Sequence, residues 1–424
     1  MAFLPLLILA FVLYSSGKRV GAYILFFFFF LEGFQLIPEA WFGIKPVDYA
    51  LLFVIGLFVW GCIVYEDFIP KNKLTLFIGI FLGFILFECL LSRFYYHIDW
   101  ESIFRTGRQS LFVLVYFLFR RLEKKEIWQL TKILLIILSV QSVLFIAQSI
   151  TGIGLLTESE GPVSNGWFYR FYNVPILMYI LVFFAVFANP FTGRTRIFTT
   201  LLPILVMFAP MHRSLIGVFV IVLMVGFLLI HGWLKSTKNI LIAFSVISII
   251  ILILGIRLSS RGASDIERVT EGEFMDTDNL QLEGDASLLF RIGHFTERYL
   301  ETTETPIGTL FGLGFMSEDS KYTENHFNFI IGLSNTEKGG IAQVDTSDIA
   351  WSIFIIRYGI LGTFVYLLLY GYIVRYYWKI KDHFSISMVL SLILVIGISF
   401  TSDQLYYTTA LVFPLLYYDF YYET

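Results

Sequence analysis

Apolar residues run along this chain in long blocks separated by short polar joints. A helix needs roughly 20 apolar residues to cross a bilayer and satisfies every backbone group internally, so such blocks predict spanning helices. They fall at about residues 2–16, 20–37, 48–65, 74–91, 103–119, 130–150, 171–188, 197–211, 214–231, 239–256, 348–373, 384–400 and 404–419. The blocks at 2–16, 103–119 and 197–211 are short. The pattern predicts an all-α, polytopic helical membrane protein with about 12–14 transmembrane helices. One interruption stands apart. From Arg257 to Val344 the chain turns polar and rich in Asp and Glu, then passes through Asp345-Thr346-Ser347-Asp348 into the next apolar block. The expected organisation is therefore residues 1–256 as about ten spanning helices with short loops, 257–347 as one large, partly helical loop, and 348–424 as about three more spanning helices.

Composition agrees with this pattern. Of 424 residues, 57% are hydrophobic and only 15% charged, whereas an ordinary soluble domain is about a quarter charged. The chain is too greasy to cover a compact globule with polar surface. Cys62 and Cys89 lie within apolar blocks and read as packing residues, so neither a disulfide nor a metal site is expected. The first block lacks a basic leader and a small-residue cleavage site, and reads as a span rather than a removed signal. No internal repeat of the kind that marks many transporters is visible.

Charge placement sets an expected orientation. Alternate joints carry Lys18 and Arg19, Lys71 and Lys73, Arg120 to Lys125, Arg194 and Arg196, Lys235 and Lys238, and Arg375 to Lys381. The joints between them hold only Lys45, Arg93, Arg105, Arg108, Arg170 and Arg213. The positive-inside rule makes the first set cytoplasmic, which places the large loop outside and the C-terminus in the cytoplasm. Lys45 aside, the outer set is all arginine, a planar fork suited to phosphate oxygens. Pairing with nearby carboxylates or lipid headgroups is the plainer reading of any one of them. Arg213 sits in a very short turn at the interface, where charges are costly and are paired or functional. Arg170 opens another block among aromatic residues of the kind that anchor helices at the interface.

The large loop carries the remaining candidates. Ser287 to Tyr299, with Arg291, His294 and Arg298, has apolar residues at helical spacing. Pro306, Gly308, Gly312 and Gly314 follow, with glycines that allow tight turns or close approach to a ligand. Then Asp348 heads the block containing Arg357, Gly359 and Gly362.

In this order, the elements resemble the O-antigen ligase and polymerase superfamily, in particular the Wzy-type polysaccharide polymerases. The matching features are the Arg213-Ser214 turn, Arg291 opening a loop helix, the Pro306 to Gly314 segment, and the Gly359 to Gly362 motif inside a span. They cover about residues 165–375. Many members carry His-Asn where this chain has Asp348, so the base that the resemblance implies becomes a carboxylate, with His294, His326 or His212 as substitutes. The implied reaction is polymerisation of undecaprenyl-diphosphate-linked oligosaccharide repeat units into a surface polysaccharide. It would run at the outer face of a bacterial cytoplasmic membrane, alongside a flippase and a chain-length regulator. Arg213, Arg291, Arg170 and Arg357 are the implied diphosphate ligands, and the Gly312 and Gly314 backbone would lie near the substrate. Arg357 is equally read as the ion-pair partner of Asp348. The sugar-diphosphate bond supplies the energy, so no cofactor, metal, nucleotide or nucleic acid is expected. The pair Asp276 and Asp278 reads as solvated acidic surface rather than a cation site. Two alternatives remain open. A ligase would share the motifs, and Glu32 and Glu88 within apolar blocks keep a transporter or flippase of lipid-linked sugars in view.

Overall fold

The computed structural model describes residues 3–42, 44–157, 163–164, 168–210, 212–230, 267–275, 287–318, 320–327, 329, 331–332, 343–407 and 409–421. The described residues are mostly helical, 76%, and the strands among them are one two-residue antiparallel pair, Val163–Ser164 with Tyr169–Arg170. The helices in chain order are α1 (Leu4–Ser15), α2 (Arg19–Phe30), α3 (Pro46–Val64), α4 (Lys73–Phe94), α5 (Trp100–Gly107) and α6 (Val115–Phe119). They continue as α7 (Lys124–Thr151), α8 (Ile176–Phe187), α9 (Gly193–Phe208), α10 (Arg213–Ile230), α11 (Ser287–Thr303) and α12 (Pro306–Phe311). The last are α13 (Lys321–His326), α14 (Ala350–Ile380), α15 (His383–Ile398) and α16 (Thr409–Tyr417).

Local chemistry explains many boundaries. Asn72, Asp99 and Asp382 each accept a backbone N–H from the first turn of the following helix, at 2.8, 2.8 and 2.6 Å, which satisfies an otherwise orphaned donor. Glu123 and Glu126 form a capping box at the start of α7, and Gly152 ends that helix in the left-handed conformation. Pro46 and Pro306 sit in first turns, where the missing N–H costs nothing.

Among the described residues, five helices, α3, α4, α7, α10 and α14, are long and apolar enough to cross a membrane. Helices α1, α2, α8, α15 and the segment containing α16 are apolar but shorter. The expected number of spans is thus met in part among the described residues, and the block at 239–256 lies outside them. The 103–119 block is corrected most clearly. It is not one helix but α5, a 3₁₀ turn over Arg108–Leu114, and α6. Its polar middle explains the break: Arg108 pairs with Asp48, and the Ser110 and Tyr358 hydroxyls meet at 2.9 Å. The 20–37 block likewise stops at Phe30 and turns through positive φ at Gly33 and Phe34.

The core is densely aromatic. Phe26, Phe27 and Phe29 of α2 are fully buried against Phe53, Phe119, Phe413 and Tyr49, with ring centroids 4.9–6.2 Å apart. Such rings combine large apolar burial with favourable offset and edge contacts. Helix α14 packs on α4, α11, α12 and α15 and ties the loop segment to the apolar bundle.

That helix is broken at Gly359, where φ is 58° and ψ −164°, a conformation open essentially to glycine alone. The break frees the Ile356 carbonyl, which accepts the Leu313 N–H at 2.6 Å. Gly312 fits against the same turn, and a Cβ there would meet the Ile356 oxygen at 2.7 Å. Tyr96 donates to the Gly312 carbonyl at 2.7 Å, and Ser92 accepts the Phe315 N–H at 2.9 Å. Of the two glycines expected near the substrate, Gly312 is therefore seated on the α14 break and Gly314 against Ser92 and Tyr96 at the end of α4. A Cβ at Gly359 would lie 2.6 Å from the Leu310 oxygen, whereas at Gly371 nothing lies within 4 Å. Gly359→Ala should cost about 3 kcal/mol or more in stability, and Gly371→Ala should be neutral or slightly stabilising. Thermal unfolding of the detergent-solubilised variants checks this, and equal melting of the two would contradict it.

Candidate functional site

Residues from the two expected charge sets gather in separate groups. Arg19, Asp67, Arg120, Arg121, Glu126 and Asp419 join through Arg19–Glu126 at 3.9 Å, Arg121–Asp67 at 2.9 Å and Arg120–Asp419 at 2.7 Å. Lys45, Arg105 and Arg108 of the other set line a polar cavity of about 410 Å³ with Arg357, Glu318, Asp345 and Asp403. The cavity is built from helix ends and connectors: the turn before α3, the break between α5 and α6, the segments 317–318 and 343–347, the head of α14 and the 403–407 connector.

Arg357 is buried in its wall. Its guanidinium pairs with Asp345 at 2.6 Å, donates to the Tyr406 hydroxyl at 3.1 Å and lies over that ring at 5.5 Å. A buried cation with its partner removed is left uncompensated, which is why such pairs are strongly coupled. The structure therefore corrects the pairing with Asp348. Asp348 instead accepts from Arg291 at 3.3 Å, with 43% of its side chain open to solvent. The segment Asp345 to Asp348 thus sends one carboxylate to the cavity and the other to α11.

Arg291 and Asp348 belong to a second charged group. His212 has its pKa depressed to about 4 by burial, then by Arg170 and Arg291, with Asp348 opposing. His212 is therefore within electrostatic reach of each of the three, and the imidazole is neutral at pH 7. His212 Nδ1 meets the Ser214 hydroxyl at 3.1 Å, and Thr401 donates to the same hydroxyl at 2.7 Å. Arg170 lies 4.6 Å over the Tyr172 ring. Arg213, the first residue of α10, is exposed and among the described residues takes no ion-pair partner.

The other expected bases stand elsewhere. His294 is fully buried between α11 and α14, its Nδ1 3.0 Å from the Ser352 hydroxyl, and burial with nearby Arg298 lowers its pKa to about 2. It is neutral and positions the loop helix against the span. His326 is exposed on α13 and stacked on Tyr322. Neither lines the cavity, nor do Gly312 and Gly314. Asp276 and Asp278 lie outside the described residues.

Sequence reasoning passed over Asp403 and Glu318. Asp403 is buried in the short connector after α15, and its N–H donates to the Ser347 carbonyl at 3.0 Å. Burial, reinforced by Asp345, pushes its carboxyl up to about 7. Burial and Asp345 also raise Glu318. The available signal was a lone carboxylate between two apolar blocks, the same reasoning that singled out Arg213. A second cavity of about 360 Å³ adjoins the first, and Gln109, Ser347, Asp403 and Tyr407 belong to both walls.

The fold and these recesses describe a helical protein of multi-pass membrane character with a charge-lined polar site at helix ends. Compared with protein-family models and with curated proteins, the chain matches none.

A carboxyl whose pKa rises on folding holds its proton more tightly when folded, so stability falls as pH climbs from about 4 to about 7 and is flat above. Asp403→Asn removes that loss. The variant should melt with the wild type near pH 4.5 and above it near pH 8, by on the order of a few kcal/mol. Coincident melting curves at the higher pH would refute the assignment.

Proposed function

We propose that the protein is a glycosyltransferase of the lipid-linked oligosaccharide polymerase kind, acting at the outer face of a bacterial cytoplasmic membrane. The carrying observation is the Arg291–Asp348 pair beside Arg170 and His212, at the joint between the loop helix and a long apolar helix. A carboxylate half open to solvent is suited to take the proton of an attacking sugar hydroxyl. Fixed guanidinium groups beside it are suited to the charge that develops on a departing lipid diphosphate. In the reaction the hydroxyl oxygen bonds to the anomeric carbon, the bond from that carbon to the diphosphate breaks, and the electron pair leaves with the lipid diphosphate. Asp348 receives the proton. Arg291 orients Asp348 and, with Arg170 and exposed Arg213, faces the diphosphate. His212, neutral at pH 7, adds no charge to oppose the proton transfer. The reading carries over the resemblance in the Arg213, Arg291 and Gly359 segments and gives the carboxylate the place of the usual histidine.

Purified protein incubated with undecaprenyl-diphosphate-linked repeat units should extend them into a ladder and release the lipid diphosphate. Asp348→Asn should lower chain growth by about a hundredfold or more while melting like the wild type. Near-normal growth in that variant would remove Asp348 as the base. Movement of intact substrate across a vesicle without extension would favour a flippase instead.

A further inference from the structure

The chemistry proposed above engages the group around Arg291 and leaves the polar cavity without an occupant. The two places differ in charge. In the cavity, Lys45, Arg105, Arg108 and Arg357 face Glu318, Asp345 and Asp403, and a fourth carboxylate, Asp48, binds Arg108. Ion pairs of Arg108 with Asp48 and of Arg357 with Asp345 take up two of these cations, which weakens the field available to an anion. Beside Asp348, Arg291 holds the carboxylate at 3.3 Å, Arg170 acts on neighbouring His212, and Arg213, next to His212 in the chain, is exposed with no ion-pair partner among the described residues. A diphosphate is drawn to the second place. The first suits a ligand of little net charge that exchanges many hydrogen bonds.

The cavity walls have that character. Gln109, Gln343, Ser347 and Tyr407 present groups that donate and accept, and the rings of Tyr406 and Tyr407 add apolar faces. Its volume falls within the range of small-ligand sites. The adjoining cavity extends the same surface past Asp403 toward Gln35 and Asn173. Those two side chains are fixed by the fold. Gln35 accepts the Ile176 N–H at 3.1 Å, and Asn173 accepts from Gln148 at 2.9 Å and donates to the Thr157 carbonyl at 2.8 Å. The walls are pre-organised, so binding need not order them.

We infer that the joined cavities bind the acceptor glycan, an oligosaccharide of near-zero net charge, with Asp403 and Tyr407 hydrogen-bonding its hydroxyls where the two cavities meet. The inference rests on the glycosyl-transfer reading and assigns the acceptor to a place separate from the lipid diphosphate. Asp403 is a binding residue here. The proton of the attacking hydroxyl still passes to Asp348, on the neighbouring stretch of chain.

The test titrates two probes onto purified full-length protein: the repeat-unit oligosaccharide freed from its lipid by mild acid, and inorganic diphosphate. Asp403→Leu should weaken oligosaccharide binding about tenfold or more, and Tyr407→Phe, which keeps the ring and the fold, about fivefold. Neither should change diphosphate affinity. Arg213→Gln should do the reverse. Loss of diphosphate binding in the correctly folded Asp403→Leu protein would overturn the division, as would oligosaccharide affinity unchanged in both cavity variants. The polymerisation assay separates the two readings. A wild-type protein that builds no ladder overturns glycosyl transfer, whereas a normal ladder with unchanged oligosaccharide affinity in both variants overturns the glycan site alone.

Discussion

A guanidinium buried in the head of an apolar helix must be compensated, and this end of the molecule is arranged around meeting that demand for Arg357. Desolvating the charge costs several kcal/mol, which is recovered only by a close carboxylate and further hydrogen bonds. Asp345 and Tyr406 supply them from two different connectors. Bringing Asp345 to Arg357 draws the 343–348 segment across the start of α14. The 399–407 connector is stitched to the same place, because Ala350 N–H donates to the Ser399 carbonyl at 3.0 Å and Trp351 Nε1 to its hydroxyl at 3.0 Å. Asp403 then comes to rest in the cavity wall, and Asp348 is turned toward Arg291.

The break in α14 completes the arrangement from the other side. An unbroken helix would have kept the Ile356 carbonyl for itself. With Gly359 outside the helical region, that carbonyl holds Leu313, and the Gly312 to Phe315 stretch is locked between α14 and α4. From there the chain runs on to Ser317 and Glu318 in the cavity wall. A backbone feature that touches no candidate substrate group thus decides where the cavity carboxylates stand. Its energetic cost is spread over the packing of α12 and α14, consistent with strained glycines persisting only where their surroundings over-determine them.

Much of the helical framework was legible because apolar burial is written into the sequence as uninterrupted blocks. The loop helix at Ser287 was legible for the same reason, through its periodicity. What failed were places where a few polar residues redirect the backbone inside an apolar block. Arg108 and Ser110 do this in the 103–119 block, where hydropathy averaged over a window hides a broken helix. The partner of Arg357 was also hidden, since Asp345 and Asp348 are three residues apart and spacing cannot say which way each turns. Asp403 stood in the sequence as a lone carboxylate between two apolar blocks, but segments distant in the chain, among them Ser347, complete its burial. Gly312 and Gly314 carried a signal of close approach, but what approaches is α14 at Gly312 and the Ser92 to Ile98 stretch at the end of α4 at Gly314.

The two carboxylates that favoured transport now stand in unlike settings. Glu32 begins a 3₁₀ turn after α2 and lines the second cavity with Gln35 and Tyr179. Glu88 lies fully buried within α4, with both carboxyl oxygens lacking a hydrogen-bond partner among the described residues. Described polar groups collect where helix ends meet connectors, in the cavity around Arg357 and in the group around Arg291, with the stretch Asp345 to Asp348 contributing a carboxylate to each. On the glycosyl-transfer reading proposed above, the two places would hold the acceptor glycan and the lipid diphosphate side by side.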